Sequence, residues 1–149
     1  METPGRLDDQ LCFALYAASR SITSAYRDGL AGLGLTYPQF VTLLVLWETD
    51  NITVKELGQR LHLDSGTLSP LLKRLEALGI ITRHRAADDE RRVHIRLTPS
   101  GLALRGPVLD VQKHVASTLG LTQEEAVMLR TLARRLSGDT RAAISSHQS

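Results

Sequence analysis

The apolar spacing of this chain changes once along its length, and that change fixes the class of fold. Up to residue 79, and again from residue 98, apolar side chains recur at three- and four-residue steps, the spacing of a helix face. Between them, "IITRHR" and "RRVHIRL" alternate with a period of two and are joined by the polar stretch "AADDE". In the second strand Val93, Ile95 and Leu97 point one way and Arg92, His94 and Arg96 the other. The sequence predicts a mainly α chain carrying one small β-hairpin.

The helices announce their own ends. Leu7, Leu11, Leu15, Ala18, Ile22 and Ala25 predict a first helix over about residues 7–31, closed by Gly29, Gly32 and Gly34. Thr36 and Gln39 form a capping box before "FVTLLVLW", which is apolar enough to be central and buried. Thr53 and Glu56 repeat the box for a third helix. Asp64 caps a fourth, "SGTLSPLLKRLEALG", whose Leu68, Leu71, Leu72, Leu75 and Leu78 make one stripe. After the hairpin, Thr98 and Pro99 restart helix, Gly106-Pro107 is expected to kink it, and Thr122 with Glu125 caps a last helix through about Leu136, with a frayed "SSHQS" tail. Two short helices, a recognition-type helix and a charged hairpin, in this order, make a winged helix-turn-helix. The expected organisation is a single domain over 1–149, with the winged helix-turn-helix at about 36–98 and dimerisation helices at about 7–34 and 99–140, whose spare apolar faces suggest a dimer.

A chain of 149 residues suits one domain. No apolar run reaches transmembrane length and the first residues carry no apolar signal core, so no membrane partner and a cytoplasmic location are expected. One cysteine excludes an intrachain disulfide framework. The net charge of +2 says little, but its distribution says more. Residues 1–50 hold three arginines against six acidic residues, whereas residues 73–96 hold seven basic residues against four acidic ones.

The basic segment coincides with the fourth helix and the hairpin. Off the leucine stripe, that helix shows Ser65, Gly66, Thr67, Ser69, Pro70, Lys73 and Arg74. Small hydroxylated residues can approach base edges in a major groove, and Lys73 or Arg74 can reach phosphates. Pro70 crowds the carbonyl of Gly66, so an irregular first turn is expected, with backbone amides near Ser65–Thr67 free to face phosphate. In the hairpin, Arg91 and Arg92 stand beside Asp88, Asp89 and Glu90, and a carboxylate there can hold an arginine ready for a minor groove. A solvated, salt-bridged hairpin is the plain alternative for those charges. The expected partner is double-stranded DNA, read as an inverted repeat by a homodimer whose recognition helices lie one turn, about 34 Å, apart.

"ERRVHIRLT" after "DD" resembles the wing signature of the MarR family of dimeric bacterial regulators, matched at Asp89, Arg91, Ile95, Leu97 and Thr98. Together with "LCFALYAASR", "LTYPQF", "LLVLWE", "ITVKELGQRL" and "LDSGTLSPLLKRLE", it is similar to one group within that family, the organic hydroperoxide resistance regulators (OhrR) of the one-cysteine type. The likeness is close over about residues 7–101. It implies a repressor, not an enzyme and without a cofactor, that binds DNA while a first-helix cysteine is reduced and releases it when an organic hydroperoxide oxidises the sulfur. It also implies two tyrosines hydrogen-bonded to that sulfur, at positions matching Tyr26 and Tyr37.

The geometry of the first helix adds a condition. Cys12, Tyr16, Ser19, Thr23 and Tyr26 fall along one face, which makes Tyr16 a further candidate neighbour of the sulfur. Tyr26 is 14 residues beyond Cys12, about 21 Å along the axis. No side chain spans that, so a tyrosine meeting Cys12 from this position belongs to a second copy crossing antiparallel. Peroxide attack by a thiolate gives a sulfenic acid. With no second cysteine, that product persists, pairs with a small thiol, cyclises onto a backbone nitrogen or oxidises further. Leu11, Phe13 and Trp47 are candidate apolar neighbours that favour organic peroxides.

Other readings predict other things. Cys12 can be a buried hydrophobe in a repressor that answers to a small ligand. A one-cysteine thiol peroxidase lacks a visible activating pattern, and a protein-binding adaptor makes Ser69, Lys73 and Arg91 dispensable. His62, His84, His94, His114 and His147 are scattered, and only His84 and His94 share a hairpin face, so no metal site is expected.

Overall fold

The computed structural model describes residues 4–89 and 91–146, with side chains to residue 138. The chain forms two compact units, Met1–Ala116 and Ser117–Ser149.

In the first unit a single 3-10 turn, Leu7–Asp9, leads into α1 (Leu11–Ala31). The helix starts later than its apolar spacing predicts because Gln10 adopts an extended backbone (φ −89°, ψ 119°) between turn and helix. Helix α2 (Tyr37–Glu48) begins at the predicted box: the Gln39 N–H donates to Thr36 Oγ1 at 3.4 Å, and the Thr36 N–H donates to Gln39 Oε1 at 3.0 Å. Phe40, Leu43 and Leu46 of α2 are buried, each worth about 1.5–3 kcal/mol. They join Leu30, Leu57, Leu68, Leu72, Leu75, Ile81 and Ile95 in one core. At the far end of α1, Gly29 lets the helix approach Val111 closely, since a Cβ there would stand 2.8 Å from Val111 Cγ1.

Strand β1 (Ile52–Thr53), helix α3 (Val54–Leu61) and helix α4 (Ser65–Ala77) follow, and then β2 (Ile81–Arg85) and β3 (Val93–Leu97). The predicted hairpin is therefore part of a three-stranded antiparallel sheet ordered β1-β3-β2. Ile52 pairs with Ile95, and His84 pairs with His94 across the hairpin. The third strand escaped the periodicity argument because two residues cannot show alternation. Ile95 is fully buried while Arg92 and Arg96 are exposed, as the alternation predicts.

One proline expectation is corrected and another is found displaced. Helix α4 runs unbroken through Pro70, with no irregular first turn. Asp64 caps it, accepting the Thr67 N–H at 2.7 Å, so the Thr67 amide is already engaged rather than free for phosphate. The helix after the wing, expected to kink at Gly106-Pro107, is interrupted just ahead of that pair. It divides there into α5 (Pro99–Ala103) and α6 (Arg105–Thr118), with Leu104 between them. Pro107 has no N–H to offer the Ala103 carbonyl four residues back, which is where the first helix stops.

The second unit is built on α7 (Gln123–Ser146), opened by the predicted Thr122–Glu125 box and longer than expected by about three turns beyond Leu136. The tail expected to fray lies, from residue 147, outside the described residues. No helix among the described residues is long and apolar enough to cross a membrane.

Candidate functional site

Two regions carry the candidate residues. The first is the face formed by α3, α4 and the wing. Turn residue His62, with φ 59°, ends α3, and Asp64 starts α4 two residues later, which gives the helix-turn-helix its tight corner. The leucine stripe of α4 is buried: Leu68, Leu72 and Leu75 are at most 1% exposed. That orientation leaves Ser65, Gly66, Thr67, Lys73 and Arg74 exposed on the outer side, with Ser69 half-buried. A cleft between α4, the start of α3 and the wing is lined by Ser65, Ser69, Lys55, Arg83, Arg91 and Arg92 among others. Ser65, Ser69 and Arg91 thus line one cleft, and Gly66, Thr67, Lys73 and Arg74 lie outside it on the same helix. Lys55, Arg83 and Arg92 were not singled out. The basic run of the hairpin pointed to Arg83 and Arg92, but Lys55 sits on another helix and only the fold adds it.

The charges in this region are organised by their neighbours. Arg83 donates to both carboxylate oxygens of Glu76, at 3.0 and 3.3 Å, tying the wing to the end of α4. The Arg83 hydrogen bonds hold the Glu76 carboxyl below its usual range. The Thr67 N–H does the same for Asp64. In the wing tip, Asp89 Oδ1 accepts the backbone N–H of Arg91 at 3.0 Å, and the Asp89 carbonyl accepts that of Arg92 at 3.0 Å. Asp89 therefore shapes the turn rather than gripping the Arg91 guanidinium, and the two exposed arginines project from a fixed backbone. The turn Asp50–Asn51 braces the other side of the sheet: Asp50 Oδ1 accepts from the Leu97 N–H and Asn51 Oδ1 from Arg96 Nε. Glu90 lies outside the described residues.

The second region is α1 and the start of α2. Cys12 is the second residue of α1, in the first turn at the positive end of the helix dipole, and its side chain is exposed in this chain. Tyr16, one turn on, is 59% exposed and stacks under the Arg20 guanidinium at 5.4 Å. At the other end of the helix the fold gathers what the sequence could not. Tyr26 and Tyr37 meet edge-on with ring centroids 5.6 Å apart, and both pack on Phe40, at 5.0 and 5.6 Å. Burial pushes both phenols above their ordinary pKa, with Tyr37 adding to the shift of Tyr26. Both rings are therefore neutral O–H donors at physiological pH. Within one chain Cys12 stands about 21 Å along α1 from this pair. Trp47 is not part of that end. It closes α2, where its indole N–H donates to the Gly101 carbonyl at 3.0 Å. Among the described residues no group of three or more His, Cys, Asp and Glu side chains could hold a metal.

Comparison with known proteins agrees with this architecture. The family model for the transcriptional regulators SarA/Rot matches residues 25–104. The organic hydroperoxide resistance transcriptional regulator of Bacillus subtilis is 46% identical over 131 residues, covering 88% of this chain and 87% of that protein. AbfR of Staphylococcus epidermidis is similar in structure. Reduced AbfR bound to DNA superposes with a TM-score of 0.82 at 34% identity, covering 93% of this chain and 95% of that one. Overoxidised AbfR, also bound to DNA, gives 0.75 at 36% identity over 89% and 94%. MarR itself gives 0.73 at 28% identity, covering 89% of this chain and 98% of its own. With the helix-turn-helix, the wing and its signature in place, the chain belongs to the MarR/SarA family of DNA-binding transcriptional regulators, close to the OhrR group.

Proposed function

We propose that this regulator is a homodimeric repressor that reads an inverted-repeat operator and leaves it when an organic hydroperoxide oxidises Cys12, derepressing a peroxide-detoxification gene. The observation that carries the reading is the convergence of Tyr26 and Tyr37 into one half-buried pair, with the Cys12 sulfur exposed and too far along α1 to reach it within one chain. In an antiparallel dimer the partner supplies that sulfur. The two neutral phenols donate to the thiolate and hold the start of α2, where Thr36 and Gln39 already fix the helix entry. Oxidation replaces the thiolate by a bulkier group that accepts differently, and the strain enters α2 at Tyr37. The exposed Leu11 and Phe13 beside Cys12 offer apolar surface to an alkyl peroxide.

On DNA, Ser65, Gly66, Thr67 and Ser69 face base edges, Lys73 and Arg74 reach phosphates, and Arg91 enters the minor groove from a wing tip set by Asp89. Replacing Ser69, Lys73 and Arg91 together by alanine is expected to weaken operator binding by about a hundredfold and to flatten its salt dependence, measured by fluorescence anisotropy across a salt series. An unchanged affinity would assign the wing and α4 to some other partner.

The test of the whole reading is an operator titration with and without cumene hydroperoxide, followed by intact-mass analysis of the released protein. Release with a mass gain at one sulfur, one oxygen or one small thiol per chain, is the expected result. Because overoxidised AbfR has been solved on DNA, mass and release are read on the same sample. Oxidation of Cys12 with the operator still bound at full affinity overturns the mechanism.

A further inference from the structure

Resting on the dimeric sensor just proposed, the charges on α1 point to a second contact between the copies. We infer that Arg27 of one protomer pairs with the partner's Asp8 and Asp9, a latch beside each sensing sulfur that sets the register of the two first helices. If Cys12 of one copy meets Tyr26 of the other, the antiparallel sense carries the chain preceding that cysteine past Tyr26 towards the end of the opposing helix. The next charged residue there is Arg27. The residues one turn before Cys12 are Asp8 and Asp9, in the 3-10 turn that leads into the helix. Three or four residues, the extended Gln10 among them, separate them from the sulfur, and Arg27 stands one residue beyond Tyr26, which leaves about 5–7 Å for an arginine side chain to cover.

Three observations support the match. Arg27 is exposed and, among the described residues, makes no ion pair within its own chain. Asp9 has only a long, exposed contact to Arg6, at 3.7 Å, and Asp8 is exposed. The acidic turn is flanked by two exposed apolar side chains, Leu7 at 58% and Leu11 at 55%. An apolar strip bordered by carboxylates at one end of a helix, and an arginine following a tyrosine at the other, is self-complementary only when two copies run antiparallel. Two-fold symmetry makes the latch twice per dimer. A helix pair held by apolar contact alone tolerates sliding, whereas a charged pair at each end fixes which residue faces the sulfur.

The experiment is a charge-reversal cycle read as dimer dissociation by analytical ultracentrifugation at low salt, in a Cys12→Ser background so that oxidation plays no part. Arg27→Glu alone, and Asp8→Arg with Asp9→Arg, are each expected to weaken the dimer about tenfold. All three together are expected to return it to within about threefold of the parent. A triple variant no tighter than the weaker of the two parents overturns the latch. The sensor geometry is tested apart from it: Tyr26→Cys in the otherwise native chain is expected to form a covalent dimer through Cys12 on mild oxidation. A covalent dimer without recovery in the reversal cycle sinks the latch and keeps the sensor. Absence of any covalent dimer sinks both.

Discussion

Cys12→Ser is expected to bind operator as tightly as the native chain, within about twofold, and to stay bound when cumene hydroperoxide is added. The native chain, treated alike, is expected to lose about a hundredfold in affinity, which corresponds to about 2.7 kcal/mol between the oxidised and reduced forms. Serine keeps the size of the side chain and its place in the first turn of α1, so the fold and the DNA face are undisturbed. It removes the one atom that attacks a peroxide oxygen, because a hydroxyl is not a nucleophile at neutral pH and the chain has no other cysteine. Electrophoretic mobility shift or anisotropy on one operator fragment, with peroxide titrated against both proteins, reads the difference directly. A Cys12→Ser protein that still releases would assign the trigger to a ligand bound elsewhere, and Cys12 would be an incidental side chain. Tyr37→Phe separates the two halves of the mechanism. It leaves the sulfur in place but removes a donor at the start of α2, so slower oxidation or weaker release is expected, with the reduced affinity retained.

The winged helix-turn-helix was legible because its parts announce themselves locally. Capping boxes at Thr36, Thr53 and Thr122, the Asp64 cap and the switch to alternation at the wing all appear in the structure where the residues placed them. What failed was local inference about strain. Pro70 suggested an irregular first turn, yet α4 runs unbroken through it, with Leu68, Leu71, Leu72 and Leu75 buried along its length. Of the tip carboxylates expected to restrain an arginine side chain, Asp89 fastens the backbone instead, and Glu90 lies outside the described residues. The tyrosine pair was legible only through the resemblance. Nothing in the periodicity of α1 or α2 says that Tyr26 and Tyr37 meet. Their approach is made by the corner between the helices, where Leu30 and Leu35 are both buried and the Leu35 N–H donates back to the Leu30 carbonyl at 2.9 Å. Trp47 shows the same limit in reverse. Grouped with the apolar neighbours of the sulfur by composition, it is committed to a different joint.

That joint is the subject of the largest stability effect expected from a single methyl group. Gly101 lies in α5, the one-turn helix after the wing, and is buried. A Cβ on it would drive into the carbonyl oxygen of Ile80 and stand 3.0 Å from Leu97 Cδ2. The obstacle is backbone rather than a flexible side-chain end, so it cannot swing aside. The Ile80 carbonyl is moreover engaged by the Thr98 N–H, from which it accepts at 3.0 Å, while the Thr98 hydroxyl donates to the neighbouring Gly79 carbonyl at 2.6 Å. Relief requires α5 to move away from the root of β2, and that movement breaks the Thr98 cap on the Gly101 N–H and the Trp47 indole bond to the Gly101 carbonyl. Gly101→Ala is therefore expected to cost about 3 kcal/mol and to lower the melting temperature by about 10 °C, whereas Ser100→Ala, one residue away and exposed, is expected to change little. Calorimetry gives the temperature, and the emission of Trp47, the only tryptophan, reports whether the loss begins at this joint. A red shift of that emission in Gly101→Ala under native conditions, with the far-ultraviolet spectrum unchanged, is the expected sign that α5 has lifted from the wing while the rest of the fold remains. A melting temperature equal to that of the native chain would mean that α5 is not held against Ile80 in solution.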